Sequence, residues 1–255
     1  MNYTKRLCSK MAASMYQSKF SVLEPIHNTI INLQRSPLLL GSGSASRRSI
    51  LENAGYKFDI IKAEIDESAI GDRSNGKDAT NLVIKIAHAK ADAIMEILKQ
   101  TCTEEYKNKY KYLLTCDQVV VCNNEILEKP LNESEAREML SRYGTYNCNT
   151  VGSLVLTNIH NGKRYEKCDS STINFNSLNN DTINNLITQG EIFYCAGSLM
   201  IENPLMLPYI INVVGSESSG IICSGGAGFG RKSVFFDCWA PITGQRSSLS
   251  FDGWI

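Results

Sequence analysis

The first pattern of apolar and polar positions is a strand, a turn and a helix in immediate succession. Residues 38–40 are three leucines, which are typical of a short buried strand. Residues 41–44 read Gly-Ser-Gly-Ser, and from Ser46 apolar residues recur at helical spacing until Gly55. Such a succession directs backbone N–H groups and the positive end of the helix dipole at one point. Arg47 and Arg48 add positive charge there, so the stretch predicts a phosphate site.

A simpler interpretation of this stretch is a serine-capped helix whose two arginines are solvated. The lysine of a Walker loop and the glycine pattern of a dinucleotide-binding loop are both missing from it. Local sequence alone leaves both interpretations open.

The next pattern predicts a helix from Ala79 to about Gln100. Its apolar stripe is predicted to contain Leu82, Val83, Ile86, Ala87, Ala93, Ile94 and Ile97. Lys90 falls in the middle of that stripe, where its ammonium must either reach the edge of the helix or meet an anion in a pocket.

Residues 112–122 are the most strand-like segment, and an Asn-Asn pair after them predicts a tight turn into a returning strand that ends at Lys129. Asp117 and Gln118 interrupt the apolar run. A carboxylate in a buried strand is costly unless it meets a metal, a cation or several hydrogen-bond donors. Asp117 is therefore a candidate functional residue.

The remaining patterns place a strand at Lys57–Ile65, paired strands at 145–157 and 164–175, and helices near 132–143 and 181–189. Residues 101–111 are predicted to be a polar connection. Glu202 is the only charge in the apolar region 194–215. In the first half of the chain strands alternate with helices, and a section rich in hairpins follows. This order predicts a mixed α/β fold with a partly antiparallel sheet.

Composition excludes several classes of function. The 26 basic and 26 acidic residues cancel, which argues against broad electrostatic binding to nucleic acid or to a membrane surface. No apolar run approaches the ~20 residues of a membrane span. The nine cysteines form no C-x-x-C pair, which indicates a reduced, cytoplasmic protein. The basic residues 1–36 are either a disordered extension, which is favoured, or an organellar presequence.

The charged residues that break the local patterns suggest one kind of site. They are Arg47, Arg48, Asp66, Glu67, Lys90, Asp117, Lys129 and Glu202. Several basic groups with a few carboxylates fit a polyphosphate held together with a divalent metal. A serine–histidine–acid triad is not supported, because the three histidines, His27, His88 and His160, fall in unsuitable positions.

Five segments in order resemble the Maf family of nucleoside triphosphate pyrophosphatases. They are G-S-G-S-A-S-R-R-S-I-L, I-D-E at 65–67, A-H-A-K-A at 87–91, C-D-Q-V-V-V at 116–121 and E-K-P-L at 128–131. The resemblance implies a two-lobed fold related to the inosine triphosphate pyrophosphatases, with a central cleft. It also implies hydrolysis of a nucleoside triphosphate to a monophosphate and pyrophosphate with Mg²⁺ or Mn²⁺.

By position, the resemblance implies that Asp117 is the proton acceptor. Phosphate and metal handling is implied for Ser42, Arg47, Arg48, Glu67, Lys90 and Lys129. Glu67 and Asp117 would hold the metal or orient the attacking water, and the sequence leaves open which of them is base and which is ligand.

The resemblance favours the subgroup similar to 7-methyl-GTP pyrophosphatase over the subgroup that prefers dTTP and UTP. Gln118 follows Asp117, and C-A-G-S at 195–198 precedes Glu202, as in the first subgroup. Glu202 would accept hydrogen bonds from a guanine-type edge or a cytosine amino group and repel the carbonyls of thymine or uracil. Ser46 stands where that subgroup tends to have tryptophan, so a stacking surface for the base is missing.

The C-terminal region departs from the family, because a glycine- and serine-rich stretch replaces the usual Gly-Leu-Pro turn and closing helix. We therefore expect an extension at 1–36, a catalytic domain at 37–219 and a divergent tail at 220–255. The alternative function is a catalytically weak nucleotide-binding regulator of cell division, which the unusual tail favours. A homodimer stays open.

Overall fold

The protein is described by a computed structural model that covers residues 37–101 and 104–215. The expectations for residues 1–36, including His27, and for the tail at 220–255 lie outside these described residues. None of the described helices is long and apolar enough to cross a membrane. The described cysteines, which are Cys116, Cys122, Cys148, Cys168 and Cys195, are free thiols.

One seven-stranded sheet organises the fold. Its strands are β1 (Leu38–Leu40), β2 (Phe58–Ile60), β3 (Tyr112–Cys122), β4 (Glu125–Leu127), β5 (Cys148–Asn158), β6 (Arg164–Phe175) and β7 (Ile210–Gly215). The order is β2-β1-β3-β5-β6-β7, and β4 pairs with β3. Strand β1 is parallel to β2 and β3, and all other pairs are antiparallel. The predicted mixed α/β class is confirmed.

Five α-helices cover the sheet within the described ranges. They are α1 (Ala45–Asn53), α2 (Ala79–Thr101), α3 (Glu104–Lys109), α4 (Glu133–Arg142) and α5 (Asn180–Gln189). Asn132 caps α4 by accepting a hydrogen bond from the backbone N–H of Glu135, and Asn179 caps α5 in the same way. The predicted helices are therefore confirmed, with ends within one or two residues of expectation.

Two local predictions were wrong, and one short helix was not predicted. The strand predicted at 57–65 is only three residues long, because β2 pairs with the equally short β1 and with no other described strand. The polar connection at 101–111 contains the helix α3. Ile97 is 36% exposed, whereas Leu98 is buried, so the buried stripe of α2 shifts by one position near its end.

The central strand β3 separates two packing layers. Its odd-numbered residues from Leu113 to Val121 face helix α2, and its even-numbered residues, Gln118 apart, face α1, α4 and α5. The alternation is that of a strand buried on both faces. It places Asp117 on the α2 side of the sheet and directs Gln118 to the opposite side.

Two buried hydroxyls fix α2 on the sheet. Thr115 donates a hydrogen bond to the Ala87 carbonyl at 2.8 Å, and Ser153 donates one to the Val83 carbonyl at 2.6 Å. Neither hydroxyl is exposed to water, so each needs this partner. The two bonds fix the rotation and height of α2 relative to β3, and with them the position of Lys90.

The turn between β3 and β4 has the predicted form. Asn123 and Asn124 adopt φ values of 51° and 62°, as required at both central positions of a type I′ hairpin turn. Asparagine tolerates this left-handed conformation better than other non-glycine residues.

A buried tyrosine connects α4 to the turn that follows α5. The Tyr143 hydroxyl donates a 2.5 Å hydrogen bond to the Gly197 carbonyl, and its ring stacks on Phe175. Gly197 has φ 62°, and a Cβ atom there would lie 2.6 Å from that hydroxyl. Only glycine therefore suits this contact.

We expect Tyr143→Phe to lower the free energy of unfolding by about 1–3 kcal/mol, because it removes the hydrogen bond that the buried Gly197 carbonyl receives from Tyr143. Chemical denaturation would measure the change. Tyr146→Phe is the matched control: Tyr146 is 43% exposed, and we expect a change within ~0.5 kcal/mol. Equal losses in both variants would contradict the role assigned to Tyr143.

Candidate active site

The site lies where β3 has no neighbouring strand on one edge. Strand β1 pairs with β3 only as far as Leu114, and β4 begins to pair at Val120. Within the described residues no strand covers this edge of β3 at residues 115–119, which we call the edge gap. Arg47, after β1, and Lys90, within α2, reach this gap, so it brings together parts of the chain that are distant in sequence.

Lys90 connects the two predicted carboxylates at the edge gap. Its Nζ atom lies 2.7 Å from Asp117 Oδ1 and 3.1 Å from Glu67 Oε1. The Lys90 side chain is 16% exposed and that of Asp117 is 9% exposed. Lys90 therefore meets two anions instead of extending to the edge of its helix.

Burial dominates the protonation of Asp117. Desolvation raises its pKa, the positive charges of Lys90 and Arg47 lower it, and the negative charge of Glu67 raises it again. The net direction is upward. A carboxylate with a raised pKa accepts a proton more readily than an ordinary aspartate, which suits a general base.

The turn after β1 brings Arg47 to the same place. Ser44 caps α1 by accepting a hydrogen bond from the Arg47 backbone N–H. The Arg47 Nη1 atom donates to Ser42 Oγ at 3.2 Å and to the Cys116 carbonyl at 3.3 Å. Ser42 and Arg47 thus lie at the border of the edge gap, beside Asp117.

Arg48 and Ser46 are half-buried on the first turn of α1. The Arg48 Nε atom is buried and has no hydrogen-bond partner among the described residues. A buried donor without a partner is costly, so a bound anion would satisfy it. Lys62, which was not predicted as a site residue, also lies against this turn. Its Nζ atom is 3.0 Å from the position that a Cβ atom on Gly43 would occupy. It adds a third positive charge near this turn.

Of the adjacent pair Asp66 and Glu67, only Glu67 faces Lys90. Asp66 caps the short 3₁₀ turn Glu67–Ala69, because its Oδ1 accepts a hydrogen bond from the Ser68 backbone N–H at 3.0 Å. Asp66 therefore has a local structural role.

A second group lies near the far border of the edge gap. The Gly197 backbone N–H donates to the Glu128 carbonyl at 2.8 Å, which places the 196–198 turn beside the end of β4. Burial is the main cause that raises the pKa of the Cys195 thiol to about 11; Glu202 raises it further and Lys129 lowers it. Lys129 and Glu202 therefore both lie near Cys195.

Glu202 is half-buried, and its Oε2 atom is buried with no hydrogen-bond partner within 37–101 and 104–215. Lys129 is exposed. Across the described ranges, no hydrogen bond or ion pair joins Lys129 or Glu202 to Lys90. The predicted residues thus form two groups, one around Lys90 and one around Cys195.

Arg73 and Glu128 were not among the predicted site residues. Their side chains form an ion pair of 2.9 Å, and Arg73 also donates hydrogen bonds to backbone carbonyls of the segment that carries Glu67. Arg73 lies in a segment whose sequence predicts only a loop. No periodic pattern could have connected it with Glu128, which is distant in sequence.

The carboxylates suit a hard cation. No group of three or more His, Cys, Asp or Glu residues able to hold a metal occurs among the described residues. Mg²⁺ usually takes one or two carboxylates and completes its shell with phosphate oxygens and water. Glu67 and Asp117, which meet the same ammonium, fit that requirement. The described histidines do not contribute, since His88 contacts Glu166 and Arg164, and His160 is exposed in the turn after β5.

Comparisons with known proteins identify the family. A family profile described as "Maf-like protein" matches residues 37–221. A protein of Dictyostelium discoideum named 7-methyl-GTP pyrophosphatase is 36% identical over 66% of this chain and 82% of its own length. A Clostridioides difficile protein named dTTP/UTP pyrophosphatase is 30% identical over 65% of this chain and 78% of its own. A Prochlorococcus marinus protein named nucleoside triphosphate pyrophosphatase is 31% identical over 65% of this chain and 81% of its own length. This chain belongs to the Maf family.

Proposed function

We propose that this protein hydrolyses a nucleoside triphosphate to the monophosphate and pyrophosphate. The observation that carries the proposal is the Lys90 ammonium between Asp117 and Glu67, with Arg47 beside Asp117. A lysine and an arginine flanking two carboxylates can bind a charged polyphosphate and activate water next to it. The names of the relatives support the same reaction.

In the proposed reaction, water attacks the α-phosphorus and the bond from that phosphorus to the oxygen bridging to the β-phosphorus breaks. Asp117 accepts the proton of the water, for which its raised pKa is suited. Arg47, Lys90 and Lys129 would neutralise charge on the triphosphate and on the departing pyrophosphate, and Ser42 and Arg48 would donate hydrogen bonds to phosphate oxygens. Bound Mg²⁺ or Mn²⁺, held by Glu67 and Asp117, would supply further neutralisation of that charge.

For the base, we favour 7-methyl-GTP or another guanine- or cytosine-type nucleotide. The buried Glu202 Oε2 without a partner would accept hydrogen bonds from the amino or imino groups of such a base. Gln118, on the same side of the sheet as the 196–198 turn, would add an amide contact. The alternative is a preference for dTTP or UTP, which the name of the Clostridioides relative supports.

The proposed catalytic domain spans residues 37–219, preceded by an extension and followed by a divergent tail. The family match at 37–221 supports these boundaries. A regulator that binds a nucleotide without hydrolysing it is the second candidate, which the unusual tail sequence favours.

We expect the full chain to release pyrophosphate from at least one triphosphate in a panel of 7-methyl-GTP, CTP, UTP and dTTP with Mg²⁺ or Mn²⁺. Chelation with EDTA should abolish the release, because two carboxylates and the phosphates need the cation to hold them together. A coupled pyrophosphate assay would measure it. Binding of a nucleotide without any release would support the regulator.

We expect Asp117→Asn to reduce kcat by about 10²- to 10⁴-fold, because the amide cannot accept the proton of the attacking water. The control is Asp66→Asn, since Asp66 caps a turn and an asparagine can do the same. We expect the control to retain activity within a few-fold. Wild-type activity in Asp117→Asn would exclude Asp117 as the base.

We expect Glu202→Gln to lower the ratio of kcat/KM for 7-methyl-GTP over that for UTP by about tenfold or more, because a charge-assisted hydrogen bond to the base is lost. Glu191→Gln is the matched control, since Glu191 also lies near Cys195 but is exposed. An unchanged ratio in Glu202→Gln would remove Glu202 from base selection.

A further inference from the structure

The position of the Glu67 carboxylate is set by the loop backbone that carries it, and not by its ion pair with Lys90. Its side chain is 47% exposed, and its segment contains only one short 3₁₀ turn between β2 and residue 75. One ion pair to a half-exposed carboxylate orients a side chain but contributes little stability, so it does not by itself fix the backbone of a loop. Something else must therefore fix the segment opposite Lys90.

Arg73 supplies that fixation through its guanidinium. Its Nη2 atom donates to the Glu67 carbonyl at 2.6 Å, and its Nη1 atom donates to the Ile70 carbonyl at 2.7 Å and to the Ser68 carbonyl at 3.4 Å. The planar guanidinium carries five N–H donors on three nitrogens, so it can serve acceptors that are farther apart than the single ammonium of a lysine can reach. Three backbone carbonyls of the segment 67–70 thus accept hydrogen bonds from one side chain, in addition to the cap by Asp66 and the packing of Ile70 against the core.

The third nitrogen of Arg73, Nε, reaches the far border of the edge gap. Its Nε atom lies 2.9 Å from Glu128 Oε2. Glu128 comes directly before Lys129, and its carbonyl accepts the hydrogen bond from Gly197. One guanidinium therefore connects the backbone of Glu67 with the strand end that carries Lys129.

We propose that Arg73, oriented by Glu128, is a positioning residue that holds the Glu67 carboxylate where it meets Lys90 and a divalent cation. The metal-binding role of Glu67 is part of the proposed function, so the inference rests on it. Arg73 itself need not touch the substrate. Its effect passes through the backbone of residue 67.

The test compares Arg73→Gln and Arg73→Lys with Arg137→Gln. Arg137 is the matched control, because it donates an exposed hydrogen bond to Asn184 on the neighbouring helix, outside the site. Binding of Mn²⁺ alone to the full chain is measured by the electron paramagnetic resonance signal of the free ion. We expect both Arg73 variants to weaken Mn²⁺ binding about tenfold or more, as removal of an outer partner of a metal ligand does. Arg137→Gln should bind like wild type.

Kinetics on the best substrate of the panel provide the second readout. We expect kcat of Arg73→Gln to fall about tenfold at fixed Mn²⁺, with KM for the nucleotide changed much less, because the phosphate-binding arginines are untouched. Glu128→Gln should show a smaller loss of the same kind. The double variant should be no worse than Arg73→Gln alone, since both changes act on one contact.

Mn²⁺ affinity in Arg73→Gln within twofold of wild type would overturn the proposal, and so would undetectable Mn²⁺ binding to wild type. If Arg73→Gln does not fold, Arg73→Lys decides by the same criterion. A wild-type chain that binds Mn²⁺ but hydrolyses no triphosphate would refute the proposed activity, and the Mn²⁺ titration would still test Arg73.

Discussion

The buried carboxylate of Asp117 is the constraint on which the site depends. A charge in the middle of a sheet is tolerated only if a cation reaches it, and Lys90 is the cation in contact with it. Lys90 can do so because Thr115 and Ser153 fix α2 at one rotation over β3. Polar groups that look misplaced in their own elements thus satisfy one another across the layer.

The edge gap turns this pairing into a place where a ligand can bind. Backbone on an unpaired edge of β3 is available to side chains, and the Cys116 carbonyl accepts a hydrogen bond from Arg47 there. Because successive residues alternate, the gap gives access to Asp117 on one face and Gln118 on the other. In the proposed function the phosphates lie nearer the first and the base nearer the second. The shortness of β1 and β4 is therefore as important as their presence.

Sequence was informative where periodicity was strong or broken by a single residue. The helix α2, the strand β3 and the Asn-Asn turn follow from patterns of neighbouring residues, and Lys90 and Asp117 stood out as exceptions to those patterns. Arg73, Glu128 and Lys62 could not be found, because their contacts depend on how irregular segments meet in space. The strand predicted at 57–65 was wrong for a related reason: its length is set by its partner β1. The assignment of Lys129 and Glu202 to the site depended on the family resemblance and stays a prediction.

Strand β1 has a further consequence for how the chain acquires its structure. Leu40 pairs with Leu114, so β1 can pair with β3 only after the long stretch of chain between them has been synthesised. The antiparallel strands β5 and β6 are joined by a short loop, and the connection from β3 to β5, which contains β4 and α4, is still shorter than the one from β1 to β3. Distant pairings close more slowly than local ones. The turn with Ser42 and Arg47 is therefore synthesised early but reaches its final position beside β3 late in folding. Because that turn is part of the proposed phosphate site, nucleotide affinity would report that folding is complete.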